Sequence, residues 1–467
     1  MRIQDIISLG SRYLQLGIVA VVLIAAIFLC YYMVSKRKNN GKPKPDIKKM
    51  ALYGVFICYL IVVFGATMLS RSGFWQNNII QPLFYSYRDA WNDFSITEWR
   101  NIILNILMFV PFGFLLPFLS KKFQVFWKTY LAGFTFTLFI EVVQLILRRG
   151  IFELDDLMNN TVGAMIGYGC YRIALLIIAI IKKEKARIMP VICCQIPVVL
   201  TVTAFVVIFS VYANQELGNL NSNYISKLDN VQVETELELS LDEAKMMVYR
   251  SYVVDESETR QVAEALFATF GLKIDESRTD IYEDETIYYS NDGNRKSMWV
   301  RYAGKTFNYT DFDASFNEES KEKTDASEED IRTALGEMGV DLPEDAVFET
   351  LEEQGYIFTV NKIVDGNKIY DGTVTCGYTE DGVISYLNYN VVEFKEYKDF
   401  SVISEKEAYE KLEQGMFHSQ YKDENEVEVL GIELDYEMDT KGFYQPVYVF
   451  EVKLNGNETN IYIPAIE

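Results

Sequence analysis

Residues 139–167 read FIEVVQLILRRGIFELDDLMNNTVGAMIG. An apolar segment carrying Glu141 and Gln144 ends at Arg148 and Arg149. After a short turn, a second apolar segment opens on Asp155 and Asp156 and continues through Asn159, Asn160, Gly163 and Gly167. The short connection predicts an antiparallel pair of helices. Ionisable groups inside or at the mouth of membrane segments are costly, so they mark a candidate functional site.

Outward from this hairpin, six stretches are long enough to cross roughly 30 Å of hydrocarbon: residues 13–34, 50–69, 102–119, 129–147, 157–181 and 188–212. The first is too long for the apolar core of a signal peptide. A strongly basic stretch follows it where a cleavage site would stand, so it reads as a retained span. Residues 1–212 hold 22 Lys and Arg against 10 Asp and Glu, and residues 213–467 hold 22 against 56, which gives the 44 and 66 of the whole chain. A basic apolar half followed by an acidic polar half predicts a membrane domain and a water-exposed domain. The acidic half argues against nucleic acid as a partner, because it repels phosphates.

Loop charge sets the expected orientation. The loops after the first, third and fifth spans carry fourteen Lys and Arg, and the opposite side carries seven. The N-terminus and the acidic domain are therefore expected outside the cell. Arg71, Asn101, Asn105, Glu141, Gln144, Arg148, Asp155, Asp156 and Asn160 then all fall toward the outer leaflet. Glu141, Gln144 and Arg148 are spaced three and four apart and share one helix face. At ~1.5 Å per residue, Glu141 lies roughly 10 Å below Arg148, within the hydrocarbon. Gly163 and Gly167 form a small-xxx-small pair that lets a neighbouring helix approach. Pro111 bends the third span beside Gly113, and the carbonyls it frees need other partners.

These residues resemble the VanZ-like family of bacterial membrane proteins. The resemblance rests on N-x-x-x-N…P-x-G at Asn101, Asn105, Pro111 and Gly113, on E-x-x-Q at Glu141 and Gln144, and on a basic residue at Arg148 or Arg149. Paired aspartates at Asp155 and Asp156 and N-T-x-G at Asn160, Thr161 and Gly163 complete it. It covers about residues 50–180. The family's namesake is linked to low-level resistance to a glycopeptide antibiotic of the teicoplanin type, so the resemblance implies a bacterial cell-envelope role.

In the acidic half, Ser240, Ser257, Ser327 and Ser404 read as helix starts, with capping-box patterns at Ser240–Glu243 and Ser404–Glu407. Aromatic and β-branched runs follow the last three, punctuated by turn signals at Asn291-Asp-Gly293, Asp365-Gly366, Asp381-Gly382 and Asn455-Gly456. The final unit resembles the small PepSY-type extracytoplasmic modules, which implies binding or regulation of a partner.

The expected fold is a mostly α-helical bundle of six spans followed by an α+β extracytoplasmic domain of repeated helix-then-sheet units. Its expected divisions are the first span and basic loop (1–49), a VanZ-like core (50–181), the sixth span (182–212) and a first α+β unit (213–310). An acidic linker (311–327) and PepSY-like units (328–467) complete it.

Each candidate residue has a plainer role beside the functional one. Glu141, Gln144 and Arg148 form either a buried polar network or a ligand site. Asp155 and Asp156 form either a helix cap or a cation site, and Glu141 and Asp156 are the candidates for a general base should a reaction occur. No cofactor is expected, nor a metal: there is no CxxC, and the single histidine, His418, has no partner in sequence. The partners expected are the lipid bilayer, a lipid-linked or antibiotic ligand, and an extracytoplasmic protein for the acidic domain.

Overall fold

The computed structural model describes residues 47–69, 80–148, 151–185, 187–282, 285–293, 295–316, 323, 325–351, 355–365, 368–418 and 425–466. The chain divides into two compact units, Met1–Glu216 and Leu217–Glu467.

The first unit is helical. Its described elements are α1 (Ile47–Phe64), extended by a π-helical turn at Gly65–Leu69, then α2 (Tyr85–Asp93), α3 (Ile96–Leu119), α4 (Phe126–Leu147), α5 (Leu154–Ile181), α6 (Met189–Cys193) and α7 (Ile196–Asn214). Two short strands, β1 (Ile80–Gln81) and β2 (Phe152–Glu153), pair in parallel. Among the described residues, five segments are long and apolar enough to cross a membrane: Lys48–Met68, Ile96–Leu119, Phe126–Leu147, Leu154–Ile181 and Ile196–Asn214. The span expected at 13–34 lies outside the described residues. The apolar run 188–212 is divided between α6 and α7, because Pro190 and Pro197 each take a first-turn position where a missing N–H is tolerated.

Glycine decides how α3 and α5 meet. A Cβ on Gly113 would lie 1.9 Å from the Ala164 carbonyl oxygen, one on Gly163 2.0 Å from that of Ile106, and one on Gly167 2.0 Å from that of Val110. The two helices therefore touch backbone to backbone, as small-residue contacts allow in lipid. Around this seam pack Val63, Phe109, Phe112, Leu116, Ile140 and Ala164. Pro111 and Pro117 stay inside α3, and the Tyr59 hydroxyl donates to the Met108 carbonyl at 3.0 Å near the first of them. Replacing Gly163 with leucine is expected to cost at least the ~1–3 kcal/mol typical of overpacking, read as a lower thermal midpoint of the purified protein, with Gly163→Ala the milder of the two.

The second unit is built on a 14-stranded sheet with strands of 5 to 14 residues. In chain order its elements are β3 (Val231–Thr235), β4 (Ala244–Ser251), α8 (Glu256–Thr269), β5 (Ile274–Ile281), β6 (Glu285–Ser290), β7 (Lys296–Arg301), β8 (Phe307–Asp311), α9 (Phe312–Phe316) and α10 (Glu328–Glu337). There follow β9 (Val347–Leu351), β10 (Gly355–Asp365), β11 (Lys368–Tyr378), β12 (Ile384–Tyr389), β13 (Val392–Val402), α11 (Glu405–Glu413), β14 (Asn425–Met438), β15 (Phe443–Leu454) and β16 (Asn457–Pro464). One core gathers Phe267, Tyr288, Met298, Ile331, Phe358 and Leu387 beneath α8 and α10. A second gathers Tyr409, Leu412, Phe417, Phe450 and Ile463 beneath α11. β8 and β12 pair directly, and of the expected linker 311–327 the described residues include Ser315, whose hydroxyl donates to the Ser385 carbonyl, and Ala326, whose N–H donates to the Tyr356 hydroxyl.

Two helix starts differ from expectation. The AKMMVYRS stretch after Ser240 is strand β4, paired antiparallel with β13 from Ala244↔Val402 to Ser251↔Phe394. Its β-branched and aromatic residues fit a half-buried pleat, and that partner strand outweighs the local capping signal. The next helix is capped by Asp255, not Ser257, in a full capping box with Glu258. Ser327 and Ser404 do cap their helices, in boxes with Asp330 and Glu407. At Asn455-Gly456 both residues have positive φ, 50° and 83°, as a two-residue hairpin turn requires.

The Ser327 main-chain N–H, and then its hydroxyl, hold the Asp330 carboxyl below the usual carboxylate range, and Ser404 does the same to Glu407. Carboxyls depressed in the folded state stabilise it above their unfolded pKa, and that contribution is lost as pH falls through the folded value. The urea midpoint of the β-rich unit is therefore expected to drop as pH is lowered through the carboxylate range. The Ser327→Ala, Ser404→Ala double variant should show a shallower acid-dependent drop from a lower starting point.

Candidate ligand-binding site

The helical hairpin of α4 and α5 carries the site. Helical spacing places Glu141 and Gln144 on the inward face of α4, and both are buried, at 2% and 1% exposure. The first turns of α5 supply Asp155, Asp156, Asn159 and Asn160, all buried. With parts of α1, α2 and α3, these residues surround a cavity of about 660 Å³. Its polar lining is Thr67, Ser86, Glu98, Asn101, Asn105, Glu141, Gln144, Glu153, Asp156, Asn159 and Asn160.

The polar side chains are held by hydrogen bonds to one another and to the surrounding helices. Gln144 Nε2 donates to the Thr67 carbonyl at 3.0 Å, Asn160 Nδ2 to Thr137 Oγ1 at 2.9 Å, and the Tyr87 hydroxyl to Asn159 Oδ1 at 2.6 Å. Asn105 donates to the Asp156 carboxylate, and the Glu153 N–H donates to Glu141 at 3.3 Å. The other atom of each of three amides, Gln144 Oε1, Asn159 Nδ2 and Asn160 Oδ1, is buried and has no hydrogen-bond partner among the described residues. Buried polar atoms are ordinarily satisfied, so three together at one cavity call for an explanation.

Not every expected residue belongs here. Arg148 terminates α4 in the left-handed region, with φ of 52°, and is exposed. That conformation ends the three-and-four spacing and carries Arg148 off the Glu141–Gln144 face, so it does not line the cavity. Asp155 is 2% exposed, and its carboxylate accepts the N–H groups of Phe84 at 2.5 Å and Ser86 at 2.8 Å. It holds the start of α2, and not, as the plainer reading expected, the start of its own helix, which has no side-chain cap. Asn101 is exposed at the rim, and Arg71 lies outside the described residues. Glu98, Glu153 and Thr137 were not singled out from the sequence, and Tyr87 was read only as one of several aromatics in the outer loop, not as part of the site. Glu98 and Glu153 precede apolar runs and look like first-turn carboxylates, whereas Tyr87 and Thr137 carry no local signal.

A bundle of apolar helices enclosing a polar cavity defines the class: an integral membrane protein of helical type. Residues 52–177, which contain the cavity, match the model of the VanZ/LLP1 family, and this part of the chain is a VanZ-like domain. The chain is similar to "Protein VanZ" of Enterococcus faecium, with 28% identity over 129 residues, 26% of this chain and 74% of that protein. Among solved structures, an uncharacterized protein from Eubacterium rectale covers 50% of this chain and 87% of its own, at 11% identity and a TM-score of 0.27. The Bacillus megaterium YpeB C-terminal domain covers 46% of this chain and 94% of its own, at 15% identity and a TM-score of 0.22.

Because Asp155 holds the start of α2 while Asp156 faces the cavity, their replacements should separate. Asp155→Ala is expected to speed hydrogen exchange across residues 84–88 at least several-fold, whereas Asp156→Ala should leave that segment protected.

Proposed function

We propose that this protein is a VanZ-like component of the bacterial cell envelope that recognises the polar head of an amphiphile at the outer leaflet. The head would be that of a lipid, a wall precursor or an amphiphilic antibiotic. The observation that carries the reading is the set of buried amide atoms without partners at a cavity lined by helices of the membrane unit. Their arrangement supplies pre-positioned donors and acceptors in an apolar surround, where hydrogen bonds to a ligand count for most. The VanZ-like resemblance, tied to glycopeptide resistance, supports the same reading.

In this reading the membrane domain has six spans, the first at residues 13–34, and the N-terminus and the β-rich unit are both outside. The β-rich unit consists of repeated helix-then-sheet modules. Lysine and arginine counts in the loops support the orientation, and the three capped helices α8, α10 and α11 support the modules.

The test is susceptibility to a teicoplanin-type glycopeptide and to a lipopeptide in cells expressing wild type, Glu141→Gln or Asp156→Asn at matched membrane levels. Both variants are expected to lose protection by a factor of about ten or more. Full protection from both variants would remove the cavity from the function.

A further inference from the structure

The three amide atoms specify the chemistry of the head, provided that the cavity holds an amphiphile as proposed above. Gln144 Oε1 and Asn160 Oδ1 can only accept, and Asn159 Nδ2 can only donate. Each belongs to a side chain no more than 2% exposed. Their other ends are fixed on Thr67, Thr137 and Tyr87, so none can turn away without breaking a bond already made. An ammonium group donates and cannot accept. A phosphate diester accepts and cannot donate. A hydroxyl does both, and its proton rotates to suit each neighbour.

The carboxylates agree with this choice. Glu98, Glu141, Glu153 and Asp156 line the same cavity. Each accepts readily from a hydroxyl, and together they disfavour a phosphate.

A second observation shows where the rest of the molecule would lie. An apolar groove of about 690 Å³ runs between α3, α5 and α7, lined by Ile103, Ile166, Val202, Phe205 and Phe209 among others. Leu107 lines both the groove and the polar cavity, so the two share a wall. The polar cavity and the apolar groove flank α3 on different faces and meet at Leu107, which sets a compartment for a chain beside one for a head.

We infer that the cavity takes the sugar head of a glycosylated membrane lipid, with an acyl chain in the groove past Leu107. The hydroxyls donate to Gln144, Asn160 and the carboxylates and accept from Asn159. The source is the lipid and not a free sugar, because a free sugar leaves the groove unused.

The experiment is native mass spectrometry of the full-length protein taken from mixed micelles. These hold equimolar, chain-matched glucosyl diacylglycerol, phosphatidylglycerol and phosphatidylethanolamine. The glucosyl lipid is expected to be enriched about tenfold over its share of the mixture, and free glucose should not displace it. Gln144→Leu and Asn160→Leu should abolish the enrichment. Leu107→Trp, at a position already 54% exposed and so tolerant of substitution, should reduce it without touching a polar group. Enrichment of phosphatidylethanolamine or phosphatidylglycerol instead would overturn the sugar assignment while leaving an amphiphile site in place. Displacement by free glucose would overturn the lipid as the source. No enrichment of any lipid, with water satisfying the amides, would overturn both this inference and the function on which it rests.

Discussion

The membrane unit depends on the contact of α3 with α5, where Gly113, Gly163 and Gly167 let backbone meet backbone. In lipid no hydrophobic force draws helices together, so close van der Waals approach must do it. That approach also fixes the site. Asn105 sits two turns before Gly113 on α3, and Asp156 and Asn160 sit one to two turns before Gly163 on α5. The seam therefore brings Asn105 to Asp156. Side chains on either helix would separate the amides from the carboxylates they face. The polar cavity is a by-product of small residues placed one level deeper.

The cavity's walls show the rule that buried polar groups need partners, kept on one side and left open on the other. Gln144, Asn160 and Asn159 each spend one end on the scaffold, through Thr67, Thr137 and Tyr87. A group bonded at both ends would be structural only, and one bonded at neither would swing freely. Half-satisfied amides are positioned and still available, which is the condition for recognition in a low-dielectric setting.

Much of this was legible in the sequence, because membrane helices declare themselves by length and because spacing puts Glu141 and Gln144 on one face. The glycine pair and the paired aspartates were readable for the same reason. Arg148 was misplaced, since nothing in the sequence says where a helix passes into the left-handed region. Asp155 looked like a cap for the helix it begins, but its true partner lies some seventy residues earlier, which no local pattern encodes. In the β-rich unit, the helix start at Ser327 and the capping box at Ser404 were readable, whereas the box at Ser240 was overruled by pairing with β13. Strand identity there is set by a partner about 150 residues away.

That same long-range pairing governs the order in which the β-rich unit can be made. Strand β3, at residues 231–235, pairs in parallel with residues 425–429, and β4 lies between β13 and β15. Synthesis proceeds from the N-terminus, so both strands emerge well before any neighbour exists to receive them. Domains whose contacts are this distant in sequence fold slowly and keep their edges unpaired meanwhile. The segment holding β5 to β8 has no such delay, because each of its strands pairs with the next. The middle of the unit can thus assemble during synthesis, and its first strands join only when the last have been released.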